Sequence, residues 1–181
     1  MATNRLEEAE RNFGELVAKY PDTPNIHYSY GVFLLSGTPD RALKEFQREL
    51  ELSPKHIRAR LQIAFEYIAR GEFAAGLDYA RQAVELQPDS FAARNALGRI
   101  LLETGDLDDA VRELEEGVRL APDSPETRYA LARAYQRAGR RDDAARERTE
   151  FARLDKVRRG RAEETQTAAP RDADRMERPP I

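Results

Sequence analysis

The sequence contains no cysteine and no tryptophan, and only two of its 181 residues are histidine. The absence of cysteine excludes disulfides, thiolate metal sites and a thiol nucleophile. His27 and His56 have no second histidine or carboxylate at the spacing of metal ligands, and no glycine-rich phosphate loop or nucleophile motif is present. We therefore expect no metal ion, no cofactor and no catalysis in this chain.

The sequence also lacks an excess of charge of one sign and any long apolar run. Charged residues make up 35% of the chain, yet they are so evenly mixed that the net charge is only −3. This mixing predicts solvated helix faces and no nucleic-acid partner. No stretch approaches the ~20 apolar residues that cross a bilayer, and no signal segment stands at the N-terminus. We expect a cytoplasmic location without membrane insertion, unless a longer chain carries a signal upstream.

What the sequence does contain is a repeat of 34 residues. Three residue types recur at this spacing: Gly37, Gly71, Gly105 and Gly139; Leu52, Leu86, Leu120 and Leu154; Pro54, Pro88 and Pro122. A fixed period shared by several residue types indicates one supersecondary unit copied along the chain.

Each unit has the pattern of two helices joined by a tight turn and closed by proline. In the third unit, apolar residues recur at helical spacing over 90–104, and Gly105 provides the residue that tolerates a left-handed helix end. A second helix with an apolar stripe is predicted over 108–121, and Pro122 ends the unit.

This pattern closely resembles the tetratricopeptide repeat family over about residues 4–156. The small and large landmarks of that family appear in order, in the third unit as Leu97-Gly98, Leu101, Ala110, Leu114, Gly117 and Pro122. The resemblance implies an all-α fold, a right-handed α-solenoid of helix-turn-helix repeats. We expect about nine helices, a half-repeat or cap in 1–20 followed by four repeats in 21–53, 54–87, 88–121 and 122–156, with a charged, disordered tail in 157–181.

Three local departures accompany the resemblance. The span from Pro21 to Gly37 is one residue shorter than its later equivalents, which predicts a clipped helix or turn in the first repeat. Arg148 occupies a slot that is apolar elsewhere, so we expect the last helix to be partly solvated. His56 lies in a link between repeats and is expected to be exposed.

The family resemblance also implies where a ligand binds, because first helices of successive repeats line the concave face in that family. The corresponding positions in this sequence are Asn25, Tyr28, Ser29, Val32, Arg58, Leu61, Gln62, Phe65, Asn95, Arg99, Tyr129, Arg133 and Gln136. The early part of this groove is apolar and aromatic, whereas the later part carries arginines. A peptide with an apolar anchor and acidic residues would complement it. The alternative is that these are ordinary solvated positions of a repeat scaffold.

Function is therefore predicted at the level of a non-catalytic protein-interaction scaffold that binds a peptide or protein segment in its groove. A second hypothesis is a regulatory or substrate-positioning arm, the C-terminal part of a larger enzyme or assembly. A third is a self-assembly module. The residues that form the chaperone-tail clamp in some family members are absent from the matching slots, which hold Tyr28, Val32, Gln62, Ala92 and Ala96.

Residues 5–20 match the second helix of a repeat whose first helix is missing, which favours a piece of a longer array over a natural cap. An uncovered apolar helix face promotes association. We predict weak self-association through this helix, to be measured by sedimentation of the wild type against a double variant carrying Phe13→Glu and Leu16→Glu. A concentration-independent monomer of equal stability in both proteins would contradict the prediction.

Overall fold

The structure is a computed structural model that describes the backbone of residues 2–167 and the side chains of residues 5–162. Nine α-helices and no strands occupy the described backbone. They are α1 (Ala2–Lys19), α2 (Ile26–Leu34), α3 (Pro39–Leu52), α4 (Ile57–Arg70), α5 (Phe73–Leu86), α6 (Phe91–Thr104), α7 (Leu107–Leu120), α8 (Pro125–Arg137) and α9 (Arg141–Thr167). Consecutive helices pack against each other, and α6 also contacts both α4 and α8. The predicted all-α solenoid of helix pairs is confirmed.

The buried side chains form two continuous layers between the helix pairs. Phe46 and Ile63 anchor the layer formed by the first pairs, and Ile100, Leu114 and Leu131 anchor the layer formed by the later ones. All five side chains are almost completely buried. Because each pair covers an apolar face of its neighbour, the units are stable as a stack.

Helix ends follow the sequence signals in the later repeats. Gly71, Gly105 and Gly139 adopt positive φ angles of 73°, 98° and 79°. This left-handed conformation costs a glycine little, and it reverses the chain between the two helices of a pair. Ser90 and Ser124 cap the following first helices by accepting from backbone amides three residues on.

The first repeat departs from this pattern, as the shortened span predicts. Helix α2 has only 9 residues, and Asn25 before it adopts a φ of 70°. Asn25 does not cap α2 with its own side chain; instead, the Glu49 carboxylate of α3 accepts the backbone N–H of Asn25 at 2.8 and 2.9 Å and that of Tyr28 at 3.2 Å. Glu49 is completely buried, so the amides at the start of α2 replace the water that its charge has lost.

A recurring polar clasp ties the first helix of a repeat to the second. Arg94 donates to the Pro88 carbonyl at 2.9 Å and to Glu113 at 2.6 Å. One repeat later, Arg128 donates to the Pro122 carbonyl at 2.9 Å and to Glu147 at 2.8 Å. In each of these repeats, the arginine side chain therefore holds the first helix to both the second helix and the proline link. The clasp orients α6 and α8, the two helices that carry the later groove positions.

In the first repeat a histidine takes the place of the clasp arginine. His27 is buried, with Nδ1 2.7 Å from Glu45 Oε2 and Nε2 2.8 Å from the Pro21 carbonyl oxygen. Glu45 precedes Tyr79 by 34 residues and Glu113 by 68, so the three residues occupy equivalent positions of their repeats. The shorter imidazole meets the same two kinds of acceptor as the arginines.

The second repeat lacks the carboxylate of the clasp, because Tyr79 occupies its slot. Arg60 donates through Nε to Gln82 at 3.0 Å, while its Nη1 is buried without a hydrogen-bond partner among the described residues. Desolvation by burial lowers the pKa of the Arg60 guanidinium, although Arg60 remains charged.

The two ends of the described chain refine the sequence prediction. Phe13 of α1 turns inward, with its ring 5.4 Å from that of Tyr30 and 5.3 Å from that of Phe33. The exposed apolar side chains of this region are instead Leu6, Leu16 and Tyr20. At the other end, Arg148 is exposed as expected. Helix α9 continues past residue 157, where the charged tail was expected to begin, as far as Thr167. The rest of that predicted tail, residues 168–181, lies outside the described residues.

The clasp arginines should differ in their contribution to the free energy of unfolding, because their hydrogen-bond partners differ. Arg94→Met removes the short ion pair of Glu113 and leaves only the longer one to Arg112, and Arg128→Met removes the ion pair of Glu147. Each should lower the free energy of unfolding by about 1–3 kcal/mol. Arg60→Met removes a poorly satisfied cation and should be neutral or stabilising. Urea denaturation of the three variants measures the difference. Equal destabilisation by all three would contradict the distinction.

Two further glycines permit close helix approach. A Cβ atom on Gly117 would lie 3.2 Å from Thr127 Cγ2, and one on Gly76 would lie 3.1 Å from Ile100 Cδ1. Gly117→Leu and Gly76→Leu should therefore overpack these contacts and cost about 1–3 kcal/mol each. Gly14 has no atom within 4 Å of an added Cβ, so Gly14→Ala is the control. An unchanged melting temperature in both leucine variants would show that the helices do not approach closely there.

Candidate functional site

A cavity of about 450 Å³ is lined by residues of α4, α5, α6, α8 and α9. Its apolar wall includes Phe73, Leu102, Tyr129 and Phe151. The remaining lining residues are Ile68, Arg99, Glu103, Glu126, Ala130, Arg133 and Arg158. A cavity of this size, apolar with a few polar groups, has the character of a binding site for a side chain or a short segment.

Two aromatic rings form the edge of the cavity. Tyr129 of α8 is 52% exposed, and its ring centroid lies 5.4 Å from that of Phe151 on α9. The rings are tilted by 49°, a geometry that leaves a face of Tyr129 open to the cavity side while Phe151 supports it. An exposed aromatic held by a second ring is a typical anchor point for an apolar side chain.

Most of the charged side chains in the cavity wall are paired. Glu103 forms an ion pair with Arg133 at 2.8 Å and lies 3.8 Å from Arg137. Glu126 lies 2.5 Å from Arg158, which also binds Asp155 at 2.7 Å. These ion pairs neutralise both glutamates of the wall.

Arg99 is the exception. It lines the cavity in the middle of α6, half-buried, and makes no hydrogen bond or ion pair with any residue that the structure describes. Burial lowers the pKa of the Arg99 guanidinium, the neighbouring charge of Arg133 lowers it further, and Glu103 opposes the change. An arginine keeps its proton in proteins, so Arg99 remains positively charged although burial has removed part of its hydration. Such a charge favours binding of an anion.

The structure gathers three of the predicted groove residues in this cavity, namely Arg99, Tyr129 and Arg133. Asn95 is not part of any accessible surface: it is buried and donates its amide to Thr127 Oγ1 at 2.8 Å, linking α6 to α8. Gln136 is exposed outside the cavity and accepts from Arg148.

The other predicted groove positions lie towards the N-terminal end, and most of their side chains contact neighbouring residues of the fold. Arg58 lies over the Tyr28 ring, 5.2 Å from its centroid, and His56 packs 4.8 Å from the same ring. Leu61 and Phe65 are half-buried against the core, Gln62 is also half-buried, Ser29 donates to the Asn25 carbonyl, and Val32 is exposed. Asn25 and Arg58 border a shallower depression of about 420 Å³.

His56 corrects the sequence prediction of an exposed link residue. It is half-buried and caps α4, because its Nδ1 accepts the backbone N–H of Ala59 at 3.0 Å. Its Nε2 lies 3.1 Å from Asn25 Oδ1, which joins the first two repeats. Both ring nitrogens are thereby used for structure.

Several cavity residues were missed by reasoning from first helices alone. Phe151 and Arg158 belong to α9, and Phe73 begins α5, all of which are second helices. Glu103 follows Arg99 by one helical turn on the same helix, so its spacing did signal that the two share a face. Among the described side chains, no cluster of three or more histidine, aspartate or glutamate residues is positioned to hold a metal ion. None of the described helices is long and apolar enough to cross a membrane.

Comparison with known sequences and structures places the chain among repeat proteins. One sequence model described as a tetratricopeptide repeat matches residues 1–57 and 61–125, and a second with the same description matches residues 105–147. No curated protein matches the sequence significantly.

Solved structures with the same fold include three described as MamA. A crystal structure of MamA superposes with a TM-score of 0.77 at 18% identity, covering 88% of this chain and 94% of that one. The MamA RS-1 ArsTM double mutant has a TM-score of 0.77 at 22% identity, covering 87% and 89%. MamA 41-end from Desulfovibrio magneticus RS-1 has a TM-score of 0.76 at 22% identity, covering 84% and 86%. At these identities the likeness concerns the fold alone.

Proposed function

Because the chain belongs to the tetratricopeptide repeat family, a family of protein-interaction scaffolds, we propose that its cavity binds a segment of a partner protein. The segment carries a large apolar side chain next to a carboxylate. It acts as a docking partner, and the chain holds it without catalysing a reaction.

The observation that carries the proposal is the unpaired guanidinium of Arg99 in a cavity with aromatic walls. A half-buried cation without a direct ion pair is unfavourable in the free protein, because it has lost water and Glu103, whose charge attracts it, is paired with Arg133. A ligand carboxylate supplies two oxygens to the planar guanidinium and removes this cost.

The apolar part of the ligand has a separate place in the same cavity. Tyr129 and Phe151 offer aromatic surface, and Phe73 and Leu102 line the interior. A leucine or aromatic side chain placed there would bury apolar area, worth roughly 25 cal/mol per Å². The combination of one anion and one apolar group gives the ligand an orientation that neither gives alone.

Arg99→Gln should abolish this recognition without unfolding the protein, because Arg99 makes no hydrogen bond that its loss would break. Selection of random heptapeptides on the immobilised wild type should enrich an aspartate or glutamate adjacent to a large apolar residue. The same selection on Arg99→Gln should lose the acidic preference, and individual selected peptides should bind about tenfold or more weakly.

Arg119→Gln is the matched control, since Arg119 is an exposed arginine of α7 that pairs with Glu116 outside the cavity. It should retain the wild-type preference. Identical enrichment on wild type and Arg99→Gln, or none on the wild type, would refute the proposed site.

A further inference from the structure

The charges around the cavity leave a single positive charge for a ligand. Three arginines and two glutamates line it, so the formal charge of the wall is +1. Glu103 is held by Arg133, and Glu126 by Arg158, which leaves Arg99 as the unpaired cation among the described lining residues. One carboxylate neutralises the wall, and a second negative charge has no partner.

The position of Glu103 makes this balance selective. It lies one helical turn from Arg99 on α6 and engages both Arg133 and Arg137, with oxygen–nitrogen distances of 2.8 and 3.8 Å. Its attraction is one of the forces acting on the Arg99 guanidinium. A second ligand carboxylate near Arg133 therefore meets an arginine that is already occupied and a glutamate of its own sign.

Glu126, the second acidic side chain of the wall, also repels a further ligand carboxylate, at another part of the cavity. Glu126 lies at the start of α8, three residues before Tyr129, and is bound to Arg158 of α9. A ligand that places its apolar group against Tyr129 thus passes close to a carboxylate on that side. Neighbouring charges of like sign disfavour binding most strongly where water is partly excluded.

We propose that Glu103 is the specificity-determining residue that restricts this cavity to peptide segments with one isolated carboxylate. Runs of acidic residues and phosphorylated residues are rejected. The inference rests on the proposed function and adds the charge class of the ligand. It also narrows the sequence-based expectation, which allowed several acidic residues in the ligand.

Three blocked peptides test the selectivity. The first is acetyl-Gly-Phe-Asp-Ala-Gly-amide, the second has aspartate in place of the alanine, and the third has phosphoserine in place of the aspartate. Calorimetric titration at low ionic strength should show that wild type binds the first peptide about fivefold or more tightly than the other two, as expected for one unfavourable like-charge contact.

Glu103→Gln should remove this preference. The substitution removes the carboxylate that pairs with Arg133 and raises the formal charge of the wall, while Arg137 keeps its hydrogen bond to the Leu102 carbonyl. The peptide with two aspartates should therefore gain at least about fivefold over the single-aspartate peptide relative to wild type. Glu116→Gln is the control, because Glu116 also pairs with a neighbouring arginine but lies outside the cavity. It should leave the ratio unchanged.

Glu126→Gln provides a second variant if Glu103→Gln lowers stability, since the Glu126 side chain is 60% exposed. It should move the ratio in the same direction by a smaller factor.

Equal or tighter binding of the two-aspartate peptide by wild type, or a ratio unaffected by Glu103→Gln, would overturn the inference. Loss of all binding in Arg99→Gln together with an unchanged ratio in Glu103→Gln would leave the proposed function intact and refute only the selectivity; the absence of any peptide binding to wild type would refute both.

Discussion

Each helix pair in this protein leaves an apolar face that only the next pair covers, and the rest of the structure depends on that mutual burial. Ile100 illustrates the point: it lies on α6, is completely buried, and approaches Gly76 of the preceding pair. The cavity is a product of the same stacking. Its walls come from three successive pairs, with Ile68 on α4, Arg99 on α6 and Tyr129 on α8, so no single repeat contains the site.

Arginine has two distinct roles on the same helix. Arg94 is held by a carbonyl and a carboxylate, and it fixes α6 to its partner helix and to the proline link. Arg99 lies five positions later and has no such partners among the described residues. The first satisfies its donors within the fold, whereas the second leaves them available to the ligand that we propose. Residue type and spacing alone do not distinguish these roles, because the difference arises from what the neighbouring helix presents.

The features that depend on local sequence were predictable, and those that depend on distant contacts were not. The period of the glycines located the helix pairs, and the shortened first span predicted the short α2. The burial of Asn95 was missed because Thr127, its hydrogen-bond partner, lies in the next repeat. The capping of α2 by Glu49 was missed for the same reason. The cavity itself was half predicted: Arg99 and its neighbours follow from the first-helix pattern, but the contribution of α9 requires the packed structure.

The contribution of α9 to the cavity makes ligand binding and helix order thermodynamically linked. Phe151 and Arg158 form part of the wall, and both are carried by a terminal helix that packs on α8. Fraying of α9 back to these residues removes the wall, so a ligand that binds only the intact cavity shifts the local equilibrium towards the helical form by mass action. Binding of the proposed ligand at Arg99 would therefore slow amide exchange along α9, at positions that touch no ligand.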